Sequence, residues 1–317
     1  MRAAIYKKYG PATVLQIKDV DSPQPRSGEV LVKVHASAVN PIDWKIRNGL
    51  LLLRPGFGLL RPRKKILGID FAGEILGLGT AVTKFNLHDE VFGATSAGTY
   101  AEYVCVNEAN VASKPQSMSF QEAAGVPLAG LTALQALRDK GGIRPDHNVL
   151  IYGASGGVGT FAVQLARSLG ANVTGVCSKE SIQLVKSLGA QRVIDRAAAE
   201  SVFPERHYDI IFDAAGKASY ARFKKNLRPE GKYIASTPHG RDLLPLALTC
   251  IGKARAKTLI ARLNSQDLVT LGRAIEEGSL RTVVDSVYPL AEIVAAHRYA
   301  EQSHSKGKVI LQIAHNE

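Results

Sequence analysis

Residues 148–159 read NVLIYGASGGVG, an apolar strand pattern running straight into Ala154-x-Gly156-x-x-Gly159. The chemistry open to such a loop is anion binding. Glycines let the backbone turn tightly and approach a pyrophosphate, and the following helix N-terminus offers unpaired N–H groups at the positive end of its dipole. Ala154, Ser155, Gly156, Gly157, Val158 and Gly159 are therefore the expected dinucleotide contacts. The competing reading is a strand-to-helix turn whose glycines only permit tight packing, and the helix and second strand that follow weigh against it. About twenty residues on, an NAD-type site places a carboxylate against the ribose 2′-hydroxyl. Here the chain reads Val176-Cys177-Ser178-Lys179, with no acid before Glu180. A hydroxyl and a cation suit a 2′-phosphate, and Arg196 past the next strand adds a second cation, so NADPH is the cofactor expected. The alternative for Lys179 and Arg196 is an ordinary solvated surface.

The elements that must carry this loop follow from periodicity. From about Phe120 the pattern alternates helix and strand, with strands expected at Val149–Tyr152, Val173–Cys177, Arg192–Asp195, Asp209–Asp213 and Lys232–Ser236. That alternation predicts a parallel sheet with helical crossovers. Val158, Phe161, Ala162, Leu165, Ala166 and Leu169 share one face of a 3.6-residue period, and Gly170 is placed to close that helix. Before residue 120 the chain is turn-rich, with strands expected at Val30–Val34, Gly73–Leu78, Glu90–Phe92 and Tyr100–Val106. After Ile251 a basic helical stretch is expected, then a strand at Thr282–Asp285, a helix at Leu290–Glu301 and a last strand at Lys308–Ile313.

Composition narrows the class. At 317 residues, 45% hydrophobic and 21% charged, the chain reads as a soluble globular protein of two domains. The longest uncharged stretch, Ala123–Leu137, carries Pro127 and two glycines and falls short of the roughly 20 residues a membrane helix needs. The N-terminus MRAAIYKKYG lacks a secretory pattern, so a cytoplasmic location is expected. Cys105, Cys177 and Cys250 show no paired spacing, which argues against a disulfide framework or a clustered zinc site. The net charge of +12 favours an anionic partner: a phosphorylated cofactor, nucleic acid or an acidic membrane surface. Arg61, Arg63, Lys64 and Lys65 form the densest cationic group, in a Gly/Pro-containing loop, and no specific nucleic-acid partner is expected from so scattered a charge.

With these stretches in view, ASAVNPIDWKIRNG (36–49), GIDFAGEI (68–75), DEVFG (89–93), GTYAEYV (98–104), AAGVPLAGLTALQAL (123–137), the glycine loop and GKVILQI (307–313) together resemble the medium-chain dehydrogenase/reductase superfamily. The likeness is to its zinc-free quinone oxidoreductase branch, and within that to the chloroplast envelope quinone oxidoreductase and alkenal/one oxidoreductase group. The resemblance implies an α/β fold: a GroES-like β-rich catalytic lobe over 1–122, completed by 267–317, and a Rossmann doubly wound parallel sheet over 123–266. It implies nicotinamide and substrate in the cleft between the lobes, and a homodimer.

Zinc-dependent relatives carry a cysteine where Asn40 stands and a His-Glu pair where Ile69 and Asp70 stand, so no catalytic zinc is expected. None of the eight histidines falls in a metal-binding spacing, and His304 alone is placed for a role near the cleft. The implied reaction is hydride transfer from NADPH to a quinone or to the C=C bond of an enal or enone, with protein donors meeting the oxyanion that forms. Asn40, Asp43 and Lys45 are the expected catalytic residues. Lys45 stands near where many quinone reductases have a tyrosine, and the alternative is that the trio braces the turn after Pro41. Thr132 is the implied nicotinamide contact, and Lys308 in the closing stretch joins the expected cofactor residues. Leu50–Leu53 and Phe57 point to an apolar acceptor. The competing function is an NADPH-binding protein with a non-catalytic RNA-binding or membrane-surface role, using the cations at 61–65 and 253–257.

Overall fold

The computed structural model describes residues 1–51, 54–63, 65–201, 203–237, 255–302 and 305–313. Leu52, Leu53, Lys64, Cys250, Lys253 and His304, and the side chain of Phe57, lie outside the described residues. The chain divides into two compact units, one of residues 1–128, 263–276 and 282–317, the other of 129–262 and 277–281. The sequence expectation drew the lines at 122/123 and 266/267.

In unit 1, strands β1 (Arg2–Ile5) and β2 (Gln16–Asp19) form a small antiparallel pair. The main sheet uses β3 (Glu29–Val39), β4 (Asp70–Leu78), β5 (Glu90–Ala94), β6 (Tyr103–Asn107) and β7 (Val111–Ser113). β3 alternates buried and half-buried residues up to Ala36, then buries Ser37, Ala38 and Val39 in succession, as a strand covered on both faces must. Helix α1 (Pro41–Arg47) follows it at once, with Pro41 in the first turn where a missing N–H costs nothing. Helix α2 (Phe120–Ala124) is capped by Ser119 and Glu122 in the reciprocal arrangement of a capping box. Helix α3 (Pro127–Gln135) contains the division between the units.

Unit 2 holds six parallel strands: β8 (Asn148–Tyr152), β9 (Asn172–Cys177), β10 (Arg192–Asp195), β11 (Tyr208–Asp213), β12 (Leu227–Ala235) and β13 (Ala256–Thr258). Their order is β10-β9-β8-β11-β12-β13, so the direction of winding reverses between β8 and β11, where doubly wound sheets take nucleotides. Helix α4 (Gly157–Ser168) buries Phe161, Ala162, Leu165 and Ala166 as expected, and Val163 and Gln164 besides. Leu169 instead stays 40% exposed. Gly170 closes the helix at φ +78, a left-handed conformation that favours glycine. The stretch expected to be helical after Ile251 is corrected in part: Ser265–Glu276 is a helix, but Ala256–Thr258 is an edge strand pairing with Tyr233–Ala235. The open hydrogen bonds of β12 outweigh helix propensity in so short a segment.

The chain then returns to unit 1 through helix α5 (Ser265–Glu276), strand β14 (Val284–Pro289), helix α6 (Ile293–Glu301) and strand β15 (Lys308–Gln312). β14 starts two residues later than expected, at the point where parallel pairing with β15 begins. The main sheet runs β14-β15-β3-β4-β5-β7, with β6 on β3. Among the described residues no helix is long and apolar enough to cross a membrane.

Candidate active site

In unit 2 the glycine loop follows β8 at the reversal point. Gly153 and Ala154 both donate backbone N–H groups to the carbonyl of Val176 on β9, which ties the loop to the neighbouring strand. A Cβ on Gly159 would lie 2.1 Å from the Gly153 carbonyl oxygen, so helix and strand approach more closely there than any side chain permits. Ser155, Gly156, Gly157 and Val158 remain partly exposed, while Ala154 is fully buried and can offer a ligand only its backbone. The N–H groups of the first turn of α4 have no acceptor within the helix. Such an arrangement can hold a phosphate.

Cys177 and Asp195 are register partners on parallel strands β9 and β10, so Ser178, Lys179 and Arg196 leave the same edge of the sheet side by side. Lys179 and Arg196 are exposed, and Ser178 is half-buried with its hydroxyl 3.3 Å from that of Ser181. The carboxylate nearby, Asp195, accepts the N–H of Ala197 at 3.0 Å, a local turn contact. Thr132, on α3, is 9% exposed.

In unit 1 the sheet order β15-β3-β4 brings three strand ends together. β3 ends at Val39, next to Asn40; β4 begins at Asp70; β15 begins at Lys308, and both neighbours run antiparallel to β3. The Lys308 ammonium donates to Asn40 Oδ1 at 2.5 Å and to Asp70 Oδ2 at 3.4 Å. Asn40 Nδ2 donates to Asp70 Oδ2 at 3.0 Å and to the Ala38 carbonyl at 3.4 Å. Leu128, at the start of α3, gives its N–H to Asp70 Oδ1 at 2.9 Å. Asn40, Asp70 and Lys308 are all at most 3% exposed. Burial pushes the Asp70 carboxyl upward, opposed chiefly by Lys308 and then by its hydrogen bonds.

The three expected catalytic residues stand apart in what they can offer. Asn40 has both amide N–H groups engaged inside the cluster. Asp43 accepts the Asn40 N–H at 2.8 Å and the Tyr100 hydroxyl at 2.9 Å, both on Oδ2, while Oδ1 is buried without a partner. Burial raises its carboxyl to about 7, so it holds a proton far more readily than a free aspartate. Lys45, at the far end of α1, is half-buried, and that burial lowers its pKa. Its ammonium has no hydrogen-bond or ion-pair partner among the described residues. Lys308, expected at the cofactor, lies in the interior of unit 1. Asp70 and Tyr100 were not foreseen as site residues. A carboxylate amid the apolar stretch GIDFAGEI has to be paired when buried, and that was the available signal for Asp70.

Two family models match the chain: the alcohol dehydrogenase GroES-like domain over residues 26–116 and the zinc-binding dehydrogenase model over residues 188–311. A chloroplastic quinone-oxidoreductase QR1 of Triphysaria versicolor is 36% identical, with 98% of each chain covered. The chain belongs to the medium-chain dehydrogenase/reductase superfamily. It is also 32% identical to an Arabidopsis thaliana NADPH-dependent alkenal/one oxidoreductase, over 98% of this chain and 79% of that one. Among solved structures, a quinone oxidoreductase from Coxiella burnetii superposes with a TM-score of 0.87 at 32% identity, covering 99% of both chains. The chain is thus an oxidoreductase of an NAD(P)H-dependent family.

The name of the second model raises the question of zinc, and the residues do not fit it. Ile69 has no donor atom, Asn40 Oδ1 is held by Lys308, and a cation already lies against Asp70. A tetrahedral zinc needs three or four thiolate, imidazole or carboxylate ligands, and no cluster of three such side chains is found among the described residues.

Proposed function

We propose that this protein is an NADPH-dependent, zinc-independent oxidoreductase that reduces a quinone or the C=C bond of an α,β-unsaturated carbonyl. The observation that carries the reading is the donor set at 40, 69 and 70. With no ligand set at those positions for a Lewis acid to polarise an alcohol or plain aldehyde, an acceptor that is electrophilic already suits the site best. NADPH bound on the glycine loop supplies the hydride. The backbone N–H groups of 157–159 hold the pyrophosphate, and Ser178, Lys179 and Arg196 take the 2′-phosphate, where an aspartate would repel it. Thr132 is the nicotinamide contact that the family likeness implies. Lys45 Nζ is the donor for the oxygen on which negative charge develops, because its cation has no partner among the described residues, while both N–H groups of the Asn40 amide and Oδ2 of Asp43 are engaged internally. An unpaired donor aimed at developing charge is worth most where water is scarce. Similarity to proteins named as quinone and alkenal/one oxidoreductases supports this choice of acceptors.

The test is NADPH consumption with a quinone and a long-chain enone, against simple aldehydes and alcohols, with product analysis to separate C=C from C=O reduction. Turnover of the activated acceptors alone is expected. No turnover with any acceptor, or faster turnover of simple aldehydes, overturns the reading.

A second role, contact with an anionic membrane surface, is favoured by Leu59 and Leu60, 66% and 90% exposed beside the exposed Arg61 and Arg63. Cosedimentation with anionic vesicles should then weaken as salt rises, and binding that ignores salt counts against it.

A further inference from the structure

An N-cap residue ordinarily holds its helix through local contacts, its side-chain oxygen meeting an N–H of the first turn. At α1 the cap residue is Asn40, and its amide is gripped from two other strands: by Lys308 of β15 on Oδ1 and by Asp70 of β4 on Nδ2. The first turn is completed by Asp43, which takes the Asn40 N–H and is itself fixed by the Tyr100 hydroxyl. The start of α1 is thus fastened to residues 30, 60 and 268 positions away in sequence, counting Asp70, Tyr100 and Lys308 from Asn40. The far end of the same helix carries Lys45, one and a half turns along. A buried ammonium–carboxylate pair contributes little to stability compared with apolar packing of similar volume. What it does well is fix a geometry.

We propose that Lys308 is a positioning residue for Lys45: by clamping Asn40 and Asp70 it fixes the cap of α1 and so the placement of the Lys45 ammonium at the reacting oxygen. The inference deepens the reading of Lys45 as donor and rests on it. A displacement of about 1 Å at a reacting group costs roughly 100-fold in rate, so a loosened cap has a kinetic consequence.

The experiment uses the full chain with Lys45→Met, Lys308→Met, Lys308→Gln and the double variant Lys45→Met/Lys308→Met, in NADPH-dependent quinone turnover. Asp70→Asn/Lys308→Met, which leaves no lone buried ion, controls for folding. Lys45→Met and Lys308→Met should each lower kcat roughly 100-fold, with the KM for NADPH little changed. The double variant should be no worse than either single one, as expected of two residues in one chain of action. Lys308→Gln keeps a donor for Asn40 and should recover part of the rate. Losses that multiply in the double variant, or a Lys308→Met chain that melts earlier with kcat intact, overturn the proposal. If Lys45→Met leaves kcat unchanged while the wild type turns over, the donor reading fails and the positioning claim fails with it.

A second readout does not need turnover. The Lys45 ammonium, followed by NMR of labelled lysine, titrates below an ordinary lysine and should move toward the ordinary value in Lys308→Met further than in Lys308→Gln. Both variants remove the same charge, so an equal shift in the two overturns the proposal even where no acceptor is turned over.

Discussion

The glycine loop of unit 2 and the polar cluster of unit 1 solve the problem of holding chemistry in opposite ways. The loop offers backbone N–H groups from consecutive residues, with partly exposed positions and cations at the sheet edge. The cluster closes side chains from four distant segments on one another, nearly all of them out of reach of water. The first arrangement leaves donors open for a ligand. The second satisfies its own donors, and Lys45 beside it has no partner among the described residues. An exposed group is thereby read as a binding group, and a buried one as a brace.

The largest effect expected from this contrast is in the brace. Asp70→Ala strands the Lys308 ammonium in the interior and removes the acceptor for Leu128 and Asn40. It should cost about 3–5 kcal/mol, read as a lower urea midpoint at unchanged slope; a loss below about 1 kcal/mol would show that water reaches the cluster.

The second effect concerns pH. Asp43 titrates near 7 in the folded chain against a reference of 3.8, so between those values the folded state holds a proton the unfolded state has released. Stability therefore falls as pH rises through that window, by at most about 1.4 kcal/mol per pH unit. His297 works in the opposite sense. Buried against Arg47, whose guanidinium lies 2.8 Å from its Nδ1, it drops from 6.5 to about 3, and its contribution is lost as pH falls. Asp43→Asn should leave the His297 slope uncovered, with urea midpoints that rise with pH between about 3 and 6.5. A midpoint profile identical to wild type would mean that Asp43 is ionised and solvated.

The smallest effect belongs to the open site. Arg196→Ala should raise the KM for NADPH about tenfold, near 1.4 kcal/mol, leaving NADH kinetics and the melting temperature unchanged. An equal change with both cofactors would remove Arg196 from the 2′-phosphate.

The same contrast explains what could be read in advance. The β8–loop–α4 unit is contiguous, its glycines are required by a carbonyl 2.1 Å from where a Cβ would sit, and its periodicity is strong, so sequence alone placed it. The edge strand β13 was mistaken for helix because three residues carry almost no period, and only the neighbour β12 decides them. Lys308 was placed with the cofactor residues from its position in the closing stretch, and the structure shows it buried against Asn40 and Asp70. Nothing local says that sheet order will carry it to the end of β3. Asn40, Asp43 and Lys45 could be grouped from sequence, yet which of the three has its polar atoms engaged depends on partners at 70, 100 and 308 that spacing does not disclose.

Strand β15, which brings Lys308, lies inside the sheet between β14 and β3, though it is made last of the described strands. During synthesis a ribosome releases Asn40 long before the lysine 268 residues later that must meet it, and every strand of unit 2 emerges in between. A nascent chain can therefore complete its nucleotide-binding sheet while β3 still shows an unpaired edge over Ala36–Val39, the kind of edge that invites pairing with another chain. Arrival of β15 closes that edge and brings a cation to Asp70 in one event, so the buried cluster and protection from aggregation are acquired together.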